Sequence, residues 1–390
     1  MHRLRLLFLV LLIGAGCSPA PPTTNPVDVI SIASDFPLSG NFEAASLSEA
    51  VAFAIAQAPP VGRYHLAVRS FDDSLAGWPE PVKGVQNVER MLQDPSVVGM
   101  VGPVTSPMAA EEIPIASAGE LAMVSPTTTS NCLTLKLPGC QLPPRRGSRN
   151  DFFRIAATDD SQGAAMADYA LKTLHLTRVA LLRDSHTSYG TSLVVGFSRE
   201  FTAQGGTLTQ NEVYQPGTND FSEVLNRAAA AHAEAIYVGG VAPDGACRIR
   251  AQMEGILPDG YFLGGDGLIE SSCIRDAGGM ANDHMVATVA IPQPDLKDPR
   301  AKNYLKAHPN PEVTVFAAYD CALILADAIK RVVDDNHGRF PSRAQVLTAV
   351  ATTSNLKGIT GTWSFDLNGD ATTPGVSFHR VQRRQWVLWK

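Results

Sequence analysis

The chain has 390 residues, 45% of them hydrophobic and 18% charged, with 32 glycines and 27 prolines. At ~100–200 residues per domain this length suggests two or three domains, and the composition excludes a disordered or collagen-like chain. Thirty-eight acids against 32 bases give a formal charge of −6, with no basic block to neutralise a phosphate backbone, so nucleic acid is not an expected partner.

The chain opens with Arg3 and Arg5, the apolar run Leu6 to Ile13, and the small residues Gly14, Ala15 and Gly16 before Cys17. This pattern predicts a lipoprotein-type secretory leader over residues 1–16 and a lipid on Cys17. The apolar run is far shorter than the ~20 residues that span a bilayer, and nothing later in the chain offers about 18 consecutive apolar residues, so the Cys17 lipid is the only membrane attachment expected. Residues 17–26, rich in proline and threonine, form an extended tether. The protein is therefore expected outside the cytoplasm, lipid-anchored in the cell envelope.

Export places the remaining cysteines where disulfides persist. Of six cysteines, Cys132, Cys140, Cys247, Cys273 and Cys321 remain once Cys17 is set aside, an odd number that leaves one free. Cys132 and Cys140 flank a short Pro/Gly stretch and could staple a loop. Cys247 and Cys273 each open a predicted helix after neighbouring strands, which could bring them together. Cys321 falls in an apolar helix and is expected as a buried thiol. Zinc spacing is absent.

From Val29 onward, short apolar runs alternate with longer amphipathic ones. Strands are predicted at Val29–Ala33, Tyr64–Phe71, Val97–Val101 and Leu121–Val124, with helices over Glu43–Gln57, Pro81–Gln93 and Pro107–Ser117. A second series carries strands at Phe152–Ala156, Arg178–Arg183, Thr207–Tyr214, Ala235–Gly239, Tyr261–Gly264 and His284–Ile291. Its helices cover Ser161–Leu174, Thr191–Ala203, Asp220–Ala231, Asp244–Glu254 and Leu268–Ala277. This alternation gives an α/β protein of two doubly wound parallel-sheet lobes. The tail breaks it: helices at Asp298–His308, Val313–Asp335 and Ser342–Ala351 precede Trp363–Asp366 and Gly375–Arg380, read as a hairpin around the turn Asn368–Gly369. Asp320, Asp327, Arg331 and Asp334 mark one polar face of the second tail helix.

Catalytic templates fail: there is no H-E-x-x-H, no G-x-S-x-G, no Walker A sequence and no dinucleotide G-x-G-x-x-G after a first strand, and the nine histidines are scattered singly. Neither an enzyme nor a cofactor nor a metal is expected. Candidate ligand groups instead lie at carboxyl ends of strands, where open α/β sheets bind ligands. Thr105 and Ser106 precede Pro107, with Ser106 predicted as an N-cap whose helix terminus could also attract a carboxylate. Ser125 to Ser130, containing Thr127 and Thr129, is hydroxyl-rich. Gly264-Gly265-Asp266-Gly267 leaves Asp266 projecting at a strand end, as a helix cap or as a ligand group. Tyr189 adds an aromatic wall.

The chain carries, in this order, the motifs Phe36-Pro37-Leu38-Ser39-Gly40, Phe71-Asp72-Asp73, Val101-Gly102-Pro103, Ser125-Pro126, Phe153-Arg154, Asp160-Ser161-Gln162-Gly163, Tyr189-Gly190, Asn219-Asp220-Phe221-Ser222, Tyr237-Val238-Gly239-Gly240, Gly264-Gly265-Asp266-Gly267, Tyr319-Asp320 and Phe365-Asp366-Leu367-Asn368-Gly369-Asp370. Together they resemble the type I periplasmic binding proteins, in the class that binds leucine, isoleucine and valine for ABC transporters. The resemblance implies two lobes joined by three crossovers, near Phe153–Thr158, Met285–Ile291 and Gly358–Trp363. One lobe would hold residues 27–156 and 290–358, the other 157–289 and 359–390. It further implies that Ser106, Thr129 and the backbone near Thr127 meet a ligand carboxylate, and that Asp266 receives an ammonium from the other lobe. Ala45 and Val241 stand where relatives in that class carry aromatics, so the side-chain pocket is expected to differ. The implied partners are a small amino acid, or a related amide or acid, and an ABC permease. Ser18 leaves open an orphan lipoprotein acting as a sensor or as a regulator of another envelope protein.

Overall fold

Parallel strands covered on both faces need near-continuous apolar runs. Val97–Val101 and Ala235–Gly239 supply them, and every residue of both is buried. The computed structural model describes residues 28–39, 44–137, 140–147, 150–185, 188–309, 311–312 and 314–389. The expected leader, Cys17 and the tether lie outside the described residues.

The chain first runs through β1 (Val29–Phe36), α1 (Ala45–Ala56), β2 (His65–Asp72), a hairpin of β3 (Ser74–Leu75) and β4 (Trp78–Pro79), α2 (Pro81–Gln93), β5 (Val97–Val101), α3 (Ser106–Ala118), β6 (Ala122–Ser125) and β7 (Phe152–Arg154). These strands form a parallel sheet in the order β2-β1-β5-β6-β7. Strand order reverses between β1 and β5, which opens a crevice at their carboxyl ends. At that point the chain must come very close to itself. Gly102, directly after β5, has φ +130°, and a Cβ there would stand 2.5 Å from the Asp35 carbonyl oxygen of β1.

After β7 the chain crosses over and builds α4 (Asp159–Lys172), β8 (Arg178–Asp184), α5 (Ser188–Ala203), β9 (Thr207–Tyr214), α6 (Ser222–Ala230), β10 (Ala235–Gly239), α7 (Arg248–Gln252), β11 (Tyr261–Gly264), α8 (Ser271–Asp276) and β12 (Met285–Val289). It then returns to the first lobe with α9 (Pro299–Ala307), α10 (Val315–Asp335), α11 (Arg343–Ala351), β13 (Leu356–Lys357) and β14 (Thr362–Trp363), and ends with β15 (Ser377–Gln382) and β16 (Gln385–Leu388). The second sheet has the order β16-β15-β12-β11-β10-β8-β9, with its reversal between β8 and β10. The fold is thus α/β, with two parallel-sheet lobes and three crossings, the second sheet gaining two antiparallel strands at its edge.

α10 anchors the return to the first lobe. Its buried stripe from Val315 to Val333 packs with β1 and α1 in one core that also takes in Ile359, Trp363 and Ala371. Asp320 departs from the expectation of a polar face. It is fully buried, and its carboxylate accepts from Ile359 N at 2.7 Å, Thr360 N at 2.8 Å, Thr360 Oγ1 at 2.6 Å and Trp363 Nε1 at 3.0 Å. A buried carboxylate is tolerated because these donors replace its water.

The expected tail hairpin does not form. β14 pairs with β13, whereas β15 pairs with β12 and β16. The turn is nevertheless present: Asp366 accepts from Asn368 N and Asp370 N, and Phe365 pairs with Ala371 across it. The third crossing therefore lies after Ala371, later than the Gly358–Trp363 expected. Turn residues specify a reversal but not which strands flank it. Both disulfides, Cys132–Cys140 and Cys247–Cys273, are formed, and Cys321 is free and buried. Among the described residues, no helix is long and apolar enough to cross a membrane.

Candidate functional site

The carboxyl ends of the two sheets face one cleft of about 310 Å³. Thr105, Ser106, Thr127 and Thr129 line it from the first lobe, and Tyr189, Val241 and Asp266 from the second. All the ligand candidates named from the sequence are therefore brought together. Each follows a strand that flanks a point of reversal or lies one strand from it, β5 and β6 in one sheet and β8, β10 and β11 in the other.

Ser106 does not cap α3. Thr105 holds the cap position without a side-chain hydrogen bond, and Ser106 is the first helical residue. Its buried hydroxyl turns to the loop after β6 and accepts from Thr129 N at 3.3 Å and Ser130 N at 3.1 Å. With both acceptor sites so used, the Ser106 O–H remains as a donor. The same loop is fixed elsewhere: Ser125 Oγ donates to Pro103 O at 2.8 Å, and Thr127 Oγ1 donates to Val104 O at 2.9 Å. The first-lobe wall is a set of hydroxyls and backbone N–H groups held in place by one another, which leaves the Ser106 O–H to meet an anion.

Asp266 begins a single turn of 3-10 helix and is not a helix cap. Tyr189, expected as an aromatic wall, acts through its hydroxyl, which donates to Asp266 Oδ1 at 2.9 Å and accepts from Gly267 N at 3.0 Å. This approach requires glycine at position 265, where a Cβ would stand 2.6 Å from the Tyr189 hydroxyl. Gln162 of α4 also donates to Asp266 Oδ1, at 3.2 Å, while its own amide oxygen accepts from Thr288 Oγ1 at 3.0 Å. Burial pushes the Asp266 carboxyl up, and the bonds from Gln162 and Tyr189 oppose that rise. An arriving cation would favour the ionised form.

Sequence reasoning missed several neighbours of these groups. Asp159, fully buried at the start of α4, donates its backbone N–H to Thr129 O at 2.8 Å. Burial raises its carboxyl well above the usual range, with the Thr129 hydroxyl opposing. Arg154 was visible as part of a motif, but its role as a brace was not. It donates to Ser130 O at 2.7 Å and Thr134 Oγ1 at 2.6 Å behind the Thr127–Ser130 loop. Trp78 and Pro79 of the β3–β4 hairpin line the cleft beside Leu47 and Val104. The consecutive hydrophobic and turn residues of Leu75-Ala76-Gly77-Trp78 were the available signal for that hairpin.

The arrangement can grip a small zwitterion at both ends. Neutral donors on one lobe suit its carboxylate, and an oriented carboxylate on the other suits its ammonium.

Comparison with known proteins agrees with this architecture. The sequence matches the family described as periplasmic binding protein over residues 30–385. It is 28% identical over 305 residues to a Leu/Ile/Val-binding protein of Rhizobium johnstonii, covering 77% of each chain. The crystal structure of the leucine binding protein LivK from Thermotoga maritima has a TM-score of 0.78 at 25% identity, covering 93% of this chain and 98% of that one. A branched-chain amino acid transporter substrate binding protein, LivJ from Streptococcus pneumoniae, in complex with isoleucine, has a TM-score of 0.74 at 20% identity, covering 93% and 100%. With nearly the whole chain matched and the two-lobed fold shared, the protein belongs to the periplasmic binding protein family, in its type I class of solute-binding proteins rather than among enzymes.

Proposed function

We propose that the protein captures a small amino acid, or a related amide or acid, in the cleft between its lobes and delivers it to an ABC permease, tethered to the envelope by a lipid on Cys17. The observation that carries this reading is the opposition of polarity across one cleft. Ser106 and Thr129 stand on the first lobe, and Asp266, oriented by Tyr189 and Gln162, stands on the second. A zwitterion completes both sets of charge-assisted hydrogen bonds only when the lobes close, so ligand binding shifts the population toward the closed state. The names of the relatives support an amino acid as the ligand. The leader pattern and Cys17 support lipid anchoring.

The test is a thermal-shift screen of amino acids and their amides, followed by calorimetry on the hits. A ligand at 100 times its Kd stabilises the native state by ~2.7 kcal/mol, which raises Tm measurably. If no amino acid or analogue raises Tm, the transport reading fails and the orphan sensor or regulator takes its place.

A further inference from the structure

Three of the four residues in Gly264-Gly265-Asp266-Gly267 are glycine, and Asp266 opens only a single turn of 3-10 helix. Glycine leaves a loop with the widest choice of backbone angles, so a carboxylate carried there needs bracing from outside the loop to meet a ligand at one place. The Tyr189 hydroxyl is one brace and the Gln162 side chain is another, both on Asp266 Oδ1. Gln162 is held in turn, its Oε1 accepting from Thr288 Oγ1 at 3.0 Å. Gln162 and Thr288 are fully buried, and neither is among the residues that line the cleft.

Thr288 stands where the second lobe joins the first. It lies in β12 two residues before Ala290, whose carbonyl oxygen accepts from Ala157 N of the first crossing at 2.8 Å. Ala156, Ala157 and Ala290 pack as one small buried cluster against Val376 of the third crossing. Gln162 follows the first crossing by one turn of α4, its N–H donating to Thr158 O at 3.0 Å. Thr288 and Gln162 thus tie the position of Asp266 to the hinge and not only to its own loop. The amide has one orientation that serves a carboxylate: its nitrogen donates and its oxygen only accepts, so Nε2 must face Asp266 while Oε1 finds a donor elsewhere. The Thr288 hydroxyl is that donor, and its Oγ1 also lies 3.4 Å from Gly264 O, in the strand that leads to Asp266.

We propose that Thr288 is a positioning residue for ligand capture: its hydroxyl holds the Gln162 amide with Nε2 on Asp266, and so fixes the carboxylate that receives the ligand's ammonium. This rests on the amino-acid reading above. The role belongs to the hydroxyl and not to the packing of the side chain. Valine has the shape of threonine without the O–H, and serine keeps the O–H without the methyl, so the two substitutions separate these roles. With valine, the buried Oε1 loses its donor, a cost that the amide relieves by turning away from Asp266.

The experiment is isothermal titration calorimetry of the full chain and of Thr288→Val, Thr288→Ser, Gln162→Met and the Gln162→Met, Thr288→Val double variant, with melting temperatures recorded for each. The probes are leucine, alanine, glutamine and glutamate, each paired with the carboxylic acid that lacks its amino group. Loss of one hydrogen bond predicts that Thr288→Val weakens every amino acid that binds by roughly 3- to 10-fold and its des-amino partner by less than about 2-fold, while Thr288→Ser stays within about 2-fold of the unsubstituted chain. Gln162→Met should lose at least as much as Thr288→Val, and the double variant no more than about 2-fold beyond Gln162→Met, because the hydroxyl acts through the amide. Should Thr288→Val not fold, Gln162→Met against the same ligand pairs carries the test. The proposal is overturned if Thr288→Val binds like the unsubstituted chain, if Thr288→Ser loses as much as Thr288→Val, if an amino acid and its des-amino partner weaken equally, or if the losses add in the double variant. Each of these leaves the amino-acid reading standing. If none of the four amino acids binds the unsubstituted chain, that reading fails and the proposal with it.

Discussion

Arg154 and Asp370, 216 positions apart in sequence, meet at 2.6 Å between Nε and Oδ1. Arg154 is fully buried at the end of β7, and the loop that carries Asp370 docks on that strand, with Arg154 N donating to Gly369 O at 3.0 Å. The same guanidinium holds Ser130 O, so the pair braces the anion-binding loop from behind. Removing one partner of a buried pair leaves the other charge uncompensated. Asp370→Ala is expected to destabilise the fold by about 3 kcal/mol and to weaken ligand binding, with Asp370→Asn intermediate. Urea denaturation alongside calorimetry checks this, and a variant with native stability would show that the pair is dispensable.

Ser106 and Thr129 form the front of that loop. Replacing both by alanine removes two hydroxyls from the cleft and an acceptor from two backbone N–H groups. A loss of roughly 2–4 kcal/mol in binding is expected, with a smaller loss of stability. Unchanged affinity would remove these residues from the site.

Asp266→Asn keeps the shape of the second-lobe group and deletes its charge. For an amino acid the cost should be at least ~1.5 kcal/mol, and for an analogue lacking the ammonium it should be little. The comparison across ligand pairs is the readout. Equal losses would make Asp266 a lobe-positioning residue instead of an ammonium partner.

The Cys247–Cys273 bridge spans 26 positions and ties the loop bearing Val241 and Asp244 to the one bearing Asp266 and Ile269. On the chain-entropy model its loss costs roughly 3 kcal/mol. A Cys247→Ser, Cys273→Ser variant should melt at lower temperature and bind more weakly, because two cleft loops lose their common anchor. Equal affinity in that variant would show that the loops hold their positions without it.

Three buried carboxyls sit together in the first lobe, away from the cleft. Asp35 of β1 accepts from Asn87 Nδ2 at 2.8 Å, and Glu112 of α3 and Asp73 lie beside it, with Asp72 and Lys83 facing the group. Burial, then the mutual repulsion of the carboxyls, raises Asp35 and Glu112 well above their ordinary values and Asp73 to about 7. The native state thus holds protons that the unfolded chain releases near 3.8 for Asp and 4.5 for Glu. Since the unfolded state binds fewer protons above those values, stability falls as pH rises, by about 1.4 kcal/mol per unit per proton held. The contribution is fully present below about pH 4 and is lost progressively through about 7 as Asp73 ionises. Glu112→Gln should flatten this decline and stabilise the protein at pH 8 relative to the native chain. Denaturation midpoints measured from pH 5 to 8 decide it, and identical curves for the two proteins would refute the coupling.

Local periodicity was enough to place the strands and helices around both sheets. An apolar run such as Val97–Val101 can be satisfied only inside a sheet covered on both faces, and the polar stretches that follow such runs mark the crevice end. That logic reached Ser106, Thr129 and Asp266, the family resemblance reached Val241, and the redox context with spacing reached both disulfides. What each side chain does depended on partners distant in sequence. Ser106 looked like a cap because Pro107 follows it, yet its hydroxyl is claimed by the loop after β6. Tyr189 looked like an aromatic wall, but only the tertiary fold brings Asp266, 77 positions later, within reach of its hydroxyl. Asp320 fitted a polar helix face by spacing, and Trp363 with the loop before it turned that position into the lobe's buried anchor. The tail hairpin failed for the same reason: Asn368-Gly369 encodes a reversal, while the choice of β12 as the partner of β15 was made by the sheet edge left open there.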